Sequence, residues 1–156
     1  MHSTIFQISK TKMEQDDHLS RYDIADYYCG KFGIDWVGEE RDDEEGFVNL
    51  ESCIPSEIFT VNRDNRSITV NQDNIKLILR QMVETIRKTA NELNEDNIVD
   101  WYQTYKLEHV IGNYMDNNAL FYYENELMGL NQFIKDVATA HDCTTLYIGA
   151  MLDCHF

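Results

Sequence analysis

The last sixteen residues of the chain, HDCTTLYIGAMLDCHF, hold two clusters of side chains that could perform chemistry. His141–Cys143 supplies a histidine, an aspartate and a cysteine, and Asp153–His155 supplies the same three types in another order. Imidazole and thiolate groups bind zinc, and a cysteine beside a base can act as a nucleophile. If the two clusters met, they would form a mixed Cys/His/Asp site.

Two backbone geometries decide whether the clusters meet. A tight turn at Gly149 and Ala150, with glycine in the first position that a type II′ turn favours, would bring Cys143 close to His155. A straight strand would instead place ten residues, or about 33 Å, between Cys143 and Asp153. The straight strand also explains the alternation of apolar residues, because every even position then points the same way. These positions are Leu146, Ile148, Ala150, Leu152, Cys154 and Phe156.

The alternation favours the straight strand, which is too long for a shared metal or catalytic site. It predicts that Cys154 is a small buried hydrophobic residue and that His155 faces the opposite way. We therefore expect no metal ion and no cofactor.

Other residues of reactive type stand alone. His109 and His141 lie near the ends of predicted helices, and neither has a second histidine four residues on, as a helical zinc site requires. Cys29 has only Lys31 as a nearby positive charge, whereas a nucleophilic cysteine needs a base and an electropositive setting. The chain has no G-x-S-x-G, Walker A or G-x-G-x-x-G motif. No catalytic residue is predicted.

The densest run of charge is EERDDEE, from Glu39 to Glu45. It is not an EF-hand loop, because counting back from Gly46 places Arg41 at the first ligand position. A stretch this charged is typical of a solvated surface segment. We predict an acidic loop around residues 39–45.

The chain contains nine tyrosines, and several occur in pairs. Tyrosine supplies contact area at a low cost in side-chain entropy and is enriched in protein interfaces. The alternative is that one member of each pair lies in the core and the other at its rim. Six residues are therefore candidate interface residues: Tyr27, Tyr28, Tyr102, Tyr105, Tyr122 and Tyr123.

The net charge is −15 over 156 residues, and it is unevenly distributed. Residues 1–57 carry a charge of −9, residues 58–93 carry +2, and residues 94–156 carry −8. Such a chain repels nucleic acid and anionic membranes. It has no stretch of about 20 apolar residues that could cross a bilayer, no signal-like N-terminal segment and no C-x-x-C pair among its four cysteines. We expect a cytoplasmic protein with reduced thiols.

The pattern along the chain predicts one α+β domain over residues 1–156. A small mixed sheet includes a hairpin over 58–70, with a type I′ turn at Asp64-Asn65, and the C-terminal strand. Three to four helices pack chiefly on one face. The helix from 97 to 111 has an apolar side made of Ile98, Trp101, Tyr102, Tyr105 and His109. Further segments are a strand over 3–9, helices over 20–30, 71–94 and 127–141, and a strand over 119–123 that could form a parallel crossover with the last strand.

These patterns favour a non-enzymatic interaction protein that binds a protein partner through an acidic, tyrosine-rich surface. A basic partner suits such a surface, and neither nucleic acid nor membrane does. The alternative function is a small hydrolase or ligand-binding enzyme whose site is assembled from scattered residues. A third reading is that the acidity serves solubility alone.

The charge balance predicts that the protein does not bind duplex nucleic acid. Phosphate binding draws its affinity from lysine and arginine, which displace counterions. The main basic concentration, which includes Arg63 and Arg66, is too small to outweigh the acidic flanks. A fluorescence anisotropy titration with labelled duplex at physiological salt should show no micromolar binding. Micromolar binding that disappears on replacing both arginines with alanine would contradict this prediction.

Overall fold

The structure is a computed structural model that describes residues 2–31, 33–112, 119–140 and 144–156. It contains a seven-stranded sheet and five α-helices. The strands are β1 (His2–Ser9), β2 (Trp36–Glu40), β3 (Phe59–Asn62), β4 (Ser67–Val70), β5 (Leu120–Tyr123), β6 (Glu126–Gly129) and β7 (Thr145–His155). The helices are α1 (Arg21–Tyr28), α2 (Asp43–Cys53), α3 (Gln72–Asn91), α4 (Trp101–Gly112) and α5 (Leu130–Thr139).

The α+β class and the mixed sheet are confirmed, and the helix count is five rather than three to four. The strand order is β3-β4-β7-β1-β5-β6, with β2 paired to β7 as well. Only the β1–β5 pair is parallel among the described strand pairs. None of the helices in the described residues is both long enough and apolar enough to span a bilayer.

The C-terminal strand β7 lies at the centre of the sheet. It pairs antiparallel with β1 along one edge, from His155 opposite His2 to Tyr147 opposite Ser9. Its other edge is shared, because β4 pairs with the first residues of β7 and β2 pairs with the last. The turn geometry at Gly149 is therefore excluded, and the straight continuous strand is confirmed.

A β-bulge interrupts the regular register of β7. Between the pairs Phe6–Met151 and Ile8–Ile148, the single residue Gln7 of β1 stands opposite two residues of β7, Gly149 and Ala150. The extra residue reverses which side chains face which side of the sheet. Leu146 and Ile148 join one hydrophobic core, whereas Ala150, Leu152 and Cys154 join the other. The prediction that all even positions share one face is therefore wrong.

The side chain of Gln7 fills the bulge and is 8% exposed. Its Oε1 accepts hydrogen bonds from the backbone N–H groups of Ala150 at 3.0 Å and Leu19 at 2.9 Å, and its Nε2 donates to the carbonyl of Asp17 at 3.0 Å. A β-carbon at Gly149 would overlap the Gln7 amide. Glycine at position 149 thus allows the Gln7 side chain to lie close to the backbone of β7. It does not form a turn.

Both faces of the sheet are covered, one more heavily than the other. The larger core lies under α2, α3 and α5, where the rings of Phe121 and Phe133 stack with centroids 4.6 Å apart. The smaller core lies under α1, where Ile24 and Tyr28 pack against residues such as Leu152. Helices packed chiefly on one face were expected from the sequence.

The acidic run does not form the predicted loop over 39–45. Glu39 and Glu40 end β2, and Asp42 caps α2 by accepting a hydrogen bond from the Glu45 N–H at 3.0 Å. Carboxylates in the first turn of a helix are stabilised by its positive N-terminal dipole. Because Phe47 and Leu50 then turn inward three residues apart, the run begins a helix that the charge pattern concealed.

Two turns also differ from the predictions. The β3–β4 register is as predicted, with Val61 opposite Ile68, but the positive φ falls on Arg66 (45°) and not on Asp64 or Asn65. The expected type I′ turn there is wrong. Both residues of the β5–β6 turn do have positive φ, 51° at Glu124 and 65° at Asn125, which is the type I′ pattern.

The β5–β6 hairpin changes the end of the fold. It shortens the helix predicted over 127–141, since 126–129 is strand and α5 begins at Leu130. β5 is parallel to β1, whereas β7 is antiparallel to it, so a parallel β5–β7 crossover does not form. The parallel pair joined by α5 is β6 and β7, with β5 and β1 between them. The start of α4 at Trp101 is four residues later than predicted.

We predict that Gln7→Ala destabilises the protein by about 2–5 kcal/mol, because the backbone N–H groups of Ala150 and Leu19 lose their acceptor. A buried donor left without a partner costs about 1–3 kcal/mol. Gln132→Ala is the matched control, since Gln132 is exposed and bonds only Asp136 on its own helix. Urea unfolding monitored by circular dichroism measures both variants. Equal losses in the two would contradict a structural role for the bulge.

Candidate interaction surface

Helix α4 carries a row of aromatic rings. Trp101, Tyr105 and His109 follow one another at intervals of four residues, which places them on one side of a helix. The rings of Trp101 and Tyr105 stack with centroids 5.2 Å apart and planes 19° apart, and those of Tyr105 and His109 with values of 6.0 Å and 23°. The stacking fixes the rings relative to each other and forms a continuous aromatic ridge.

The ridge faces solvent. Trp101 is 72% exposed, Tyr102 60% and Tyr105 46%. None of residues 101–111 is fully buried, and α4 is held to the rest of the protein by packing on α3. The aromatic residues predicted for the apolar side of this helix therefore do lie on it, but that side faces solvent and not the core.

Two more exposed apolar residues lie near the ends of α4 in the sequence. Val99, 90% exposed, comes just before the helix, and Ile111 lies near its end. A contiguous exposed apolar patch on a folded protein marks a site of interaction. We call Trp101, Tyr102, Tyr105 and His109 the α4 surface.

The charge around the α4 surface is negative. Between Glu92 and Ile111 there are five carboxylates and one lysine, a net charge of −4 with His109 neutral. That lysine, Lys106, pairs with Glu92, which lowers the pKa of the Glu92 carboxyl and raises the pKa of the ammonium. Asp100 accepts a hydrogen bond from the Tyr102 N–H at 3.0 Å and so caps the first turn.

The six tyrosines predicted as interface residues do not form one surface. Tyr102 and Tyr105 lie on the α4 surface. Tyr27 is exposed on α1, with the ammonium of Lys31 over its ring at 3.6 Å. Tyr122 is partly buried, and this burial raises the pKa of its hydroxyl.

Tyr28 and Tyr123 are core residues. Tyr28 is 8% exposed and meets Tyr122 edge to face at 6.4 Å. Tyr123 is 1% exposed and meets Phe133 in the same way at 5.5 Å. Neither offers appreciable side-chain area to a partner, so their selection as interface residues is corrected. The core-and-rim alternative describes the pairs 27/28 and 122/123, and it does not describe Tyr102 and Tyr105.

The sequence places Trp101 and His109 on the apolar side of the predicted helix, but it does not predict them as interface residues. The signal was their spacing with Tyr105, which resembles that of an ordinary buried stripe. Only the tertiary packing of α4, which lies against α3, distinguishes an exposed ridge from a buried stripe.

The C-terminal cluster is divided by the sheet. Cys154 is fully buried, and its burial, with the nearby charge of Asp153, raises the pKa of the thiol to about 12. The neighbouring His155 faces the opposite way, with its Nδ1 2.8 Å from Asp35 Oδ1 and its ring edge to face with that of His2. The other cluster, His141–Cys143, lies outside the described residues.

A cleft of about 370 Å³ lies at the end of the sheet beside α2, lined in part by His2, Arg41 and Asn49. Its guanidinium, Arg41, is 14% exposed and is paired with both Glu45 and Asp153. His2 Nδ1 lies 3.4 Å from the same Asp153. Burial raises the pKa of the Cys53 thiol at the cleft, which disfavours the reactive thiolate. The charged groups of the cleft thus pair with one another, although the buried Arg41 Nε has no hydrogen-bond partner within the described part of the chain.

The described residues contain no group of three or more His, Cys, Asp or Glu side chains that could hold a metal ion. Comparisons with protein-family models, with curated proteins and with solved structures found no match to the chain. The geometry of the surface is therefore the basis for a functional proposal.

We predict that the aromatic ridge contributes little to folding stability. Trp101→Ala should cost under about 1 kcal/mol, because the ring is exposed and surface substitutions have small effects. Phe133→Ala, which removes a fully buried ring, should cost about 3–5 kcal/mol. Thermal melts of both variants test this difference. A Trp101→Ala loss as large as that of Phe133→Ala would show that the ridge belongs to the core.

Proposed function

We propose that this protein is a non-enzymatic interaction protein that binds a protein partner through the α4 surface. The observation that carries the proposal is the exposure of Trp101, Tyr102 and Tyr105 on a helix whose described residues include no fully buried one. Neighbouring exposed aromatic residues on a folded protein mark an interaction site, because water disfavours contact with apolar surface.

The residue types suit an interface. Tryptophan and tyrosine are the commonest hot-spot residues, because they remove a large area from water and lose few side-chain rotamers on binding. The stacking of Trp101 on Tyr105 further reduces that loss, since the two rings are already ordered before binding. A preorganised ridge binds with less entropic cost than free side chains do.

The charge of the protein favours a basic partner. A net charge of −15 attracts positive surfaces over the range of the ionic atmosphere and increases the rate of encounter. The local charge of −4 around α4 directs that encounter to the aromatic ridge. We also place this interaction in the cytoplasm, because Cys29 is an exposed thiol and exposed thiols persist in a reducing compartment.

The hydrolase alternative receives less support. Among the described residues, one candidate site is the cleft at Arg41, where Arg41 already pairs with Glu45 and Asp153. The cysteine at this cleft is not activated, and its pKa is raised.

A capture experiment tests the proposed function. The protein is immobilised as wild type, as Trp101→Ala with Tyr105→Ala, and as the control Tyr22→Ala with Tyr27→Ala. The control removes two comparably exposed tyrosines, of 63% and 62%, from α1. Proteins retained from an extract of the source cells are identified by mass spectrometry, and the dissociation constant is then measured with the purified partner.

Loss of two hot-spot rings should weaken binding by at least about tenfold, because each such residue is worth about 2 kcal/mol or more, and the control should bind like wild type. A partner that binds the α4 variant as tightly as wild type would overturn the proposal.

A further inference from the structure

We propose that the α4 surface recognises an arginine-rich segment of its partner, with a guanidinium stacked on the outer face of Trp101 beside the Asp100 carboxylate. This inference rests on the proposed function and specifies the chemistry of the partner.

One face of the Trp101 ring is available to a ligand. Tyr105 stacks against the face that points along the helix, yet the residue is 72% exposed, so the outer face must be in solvent. Side chains on a helix lean toward its N-terminus. The outer face of Trp101 therefore lies toward the start of α4, where the Asp100 carboxylate accepts a hydrogen bond from the Tyr102 N–H. Glu95 and Asp96 precede this residue in the sequence.

Two exposed tyrosines outside α4 have a cation of the protein over their rings, whereas no such contact is formed with the exposed Trp36 within the described residues. The guanidinium of Arg21 lies 4.7 Å from the ring centroid of Tyr22, and the ammonium of Lys31 lies 3.6 Å from that of Tyr27. Within the described part of the chain, no lysine or arginine occupies this position over Trp101 or Tyr105. Tryptophan has the most favourable ring for such a contact, so the α4 surface combines the best cation acceptor with an excess of carboxylates and lacks the cation.

Arginine fits this arrangement better than lysine. A guanidinium is planar, stacks on an aromatic face and can donate two parallel hydrogen bonds to one carboxylate. An ammonium is more strongly hydrated and makes neither the planar stack nor the bidentate pair. A flat indole beside a carboxylate therefore selects the guanidinium over a positive charge of any other shape.

Charge argues against the other occupants of such a ridge. A second copy would bring its own net charge of −15, and its acidic α4 region would meet the same region of the first. Nucleic acid and anionic membranes are repelled for the same reason. A cationic protein segment satisfies both the aromatic face and the carboxylates.

The test compares two peptides of equal charge. Fluorescein-labelled nona-arginine and nona-lysine are titrated with the full-length protein at physiological salt, and binding is followed by anisotropy. Wild type should bind the arginine peptide at least about fivefold more tightly than the lysine peptide. This is the difference expected for one cation–π contact that is at least partly removed from water. Trp101→Ala should reduce this ratio to near one, and Trp101→Phe should retain part of it.

Matched variants separate the ridge from bulk charge. Asp96→Asn with Asp100→Asn removes two charges from the segment that precedes Trp101 and keeps a residue that can cap α4, while Asp26→Asn with Asp64→Asn removes two exposed charges elsewhere. The first variant should weaken binding of the arginine peptide several-fold more than the second. Tyr22→Ala should leave the arginine-to-lysine ratio unchanged.

Equal affinity of wild type for the two peptides, or a ratio that survives Trp101→Ala, would overturn the inference. So would a dimer in sedimentation experiments that dissociates on Trp101→Ala, because a second copy would then cover the ridge. Failure of the arginine preference while capture still depends on Trp101 and Tyr105 would remove this inference alone. Capture that does not depend on these residues would remove the proposed function.

Discussion

The arrangement of the sheet depends on the hydrogen bonds that the Gln7 side chain makes in the β7 bulge. Its amide satisfies the backbone of Ala150, Leu19 and Asp17 at once, and so joins the two central strands to the segment that leads into α1. The bulge lets one long strand supply Leu146 and Ile148 to the larger core and Leu152 and Cys154 to the smaller one. Without the extra residue, the second half of β7 would present its opposite side to each core.

At the bulge, part of the negative charge of the protein has a structural role. On the outer edge of β7, between β4 and β2, Arg66 donates from Nε to the carbonyl of Ile148 and from Nη2 to that of Gly149. It also pairs with Asp43 of α2, while Arg63 pairs with Glu44 and Glu51. The weakly basic middle of the chain thus neutralises the acidic start of α2. This pairing holds the hairpin and the helix against the strand edge, so that part of the negative charge is structural.

The sequence predicted correctly those features of the fold that depend on residues close together in the chain. The α3 helix begins after its Asn71 cap, the β3–β4 register follows the apolar alternation, and Cys154 is buried as its strand position implied. The failures depend on contacts that are distant in sequence. The acceptor in the bulge is 143 residues away from Ala150, and the carboxylates of α2 pair with Arg63 and Arg66 near the turn of a separate hairpin. The ridge on α4 has the spacing of a core stripe, and only tertiary packing could reveal that nothing in the described structure covers it.

The difference between the two acidic regions bears on whether the acidity serves solubility alone. Charged side chains suffice to keep a protein in solution, and exposed aromatic rings work against it. On α2 the carboxylates have intramolecular partners, and the apolar residues Phe47 and Leu50 are buried. Between Glu92 and Ile111 five carboxylates outnumber the one lysine, and Trp101, Tyr102 and Tyr105 are exposed to water. A helix that served only solubility would have polar residues at 101 and 105. The proposed cationic partner accounts for the exposed, stacked rings of Trp101 and Tyr105, and solubility alone does not.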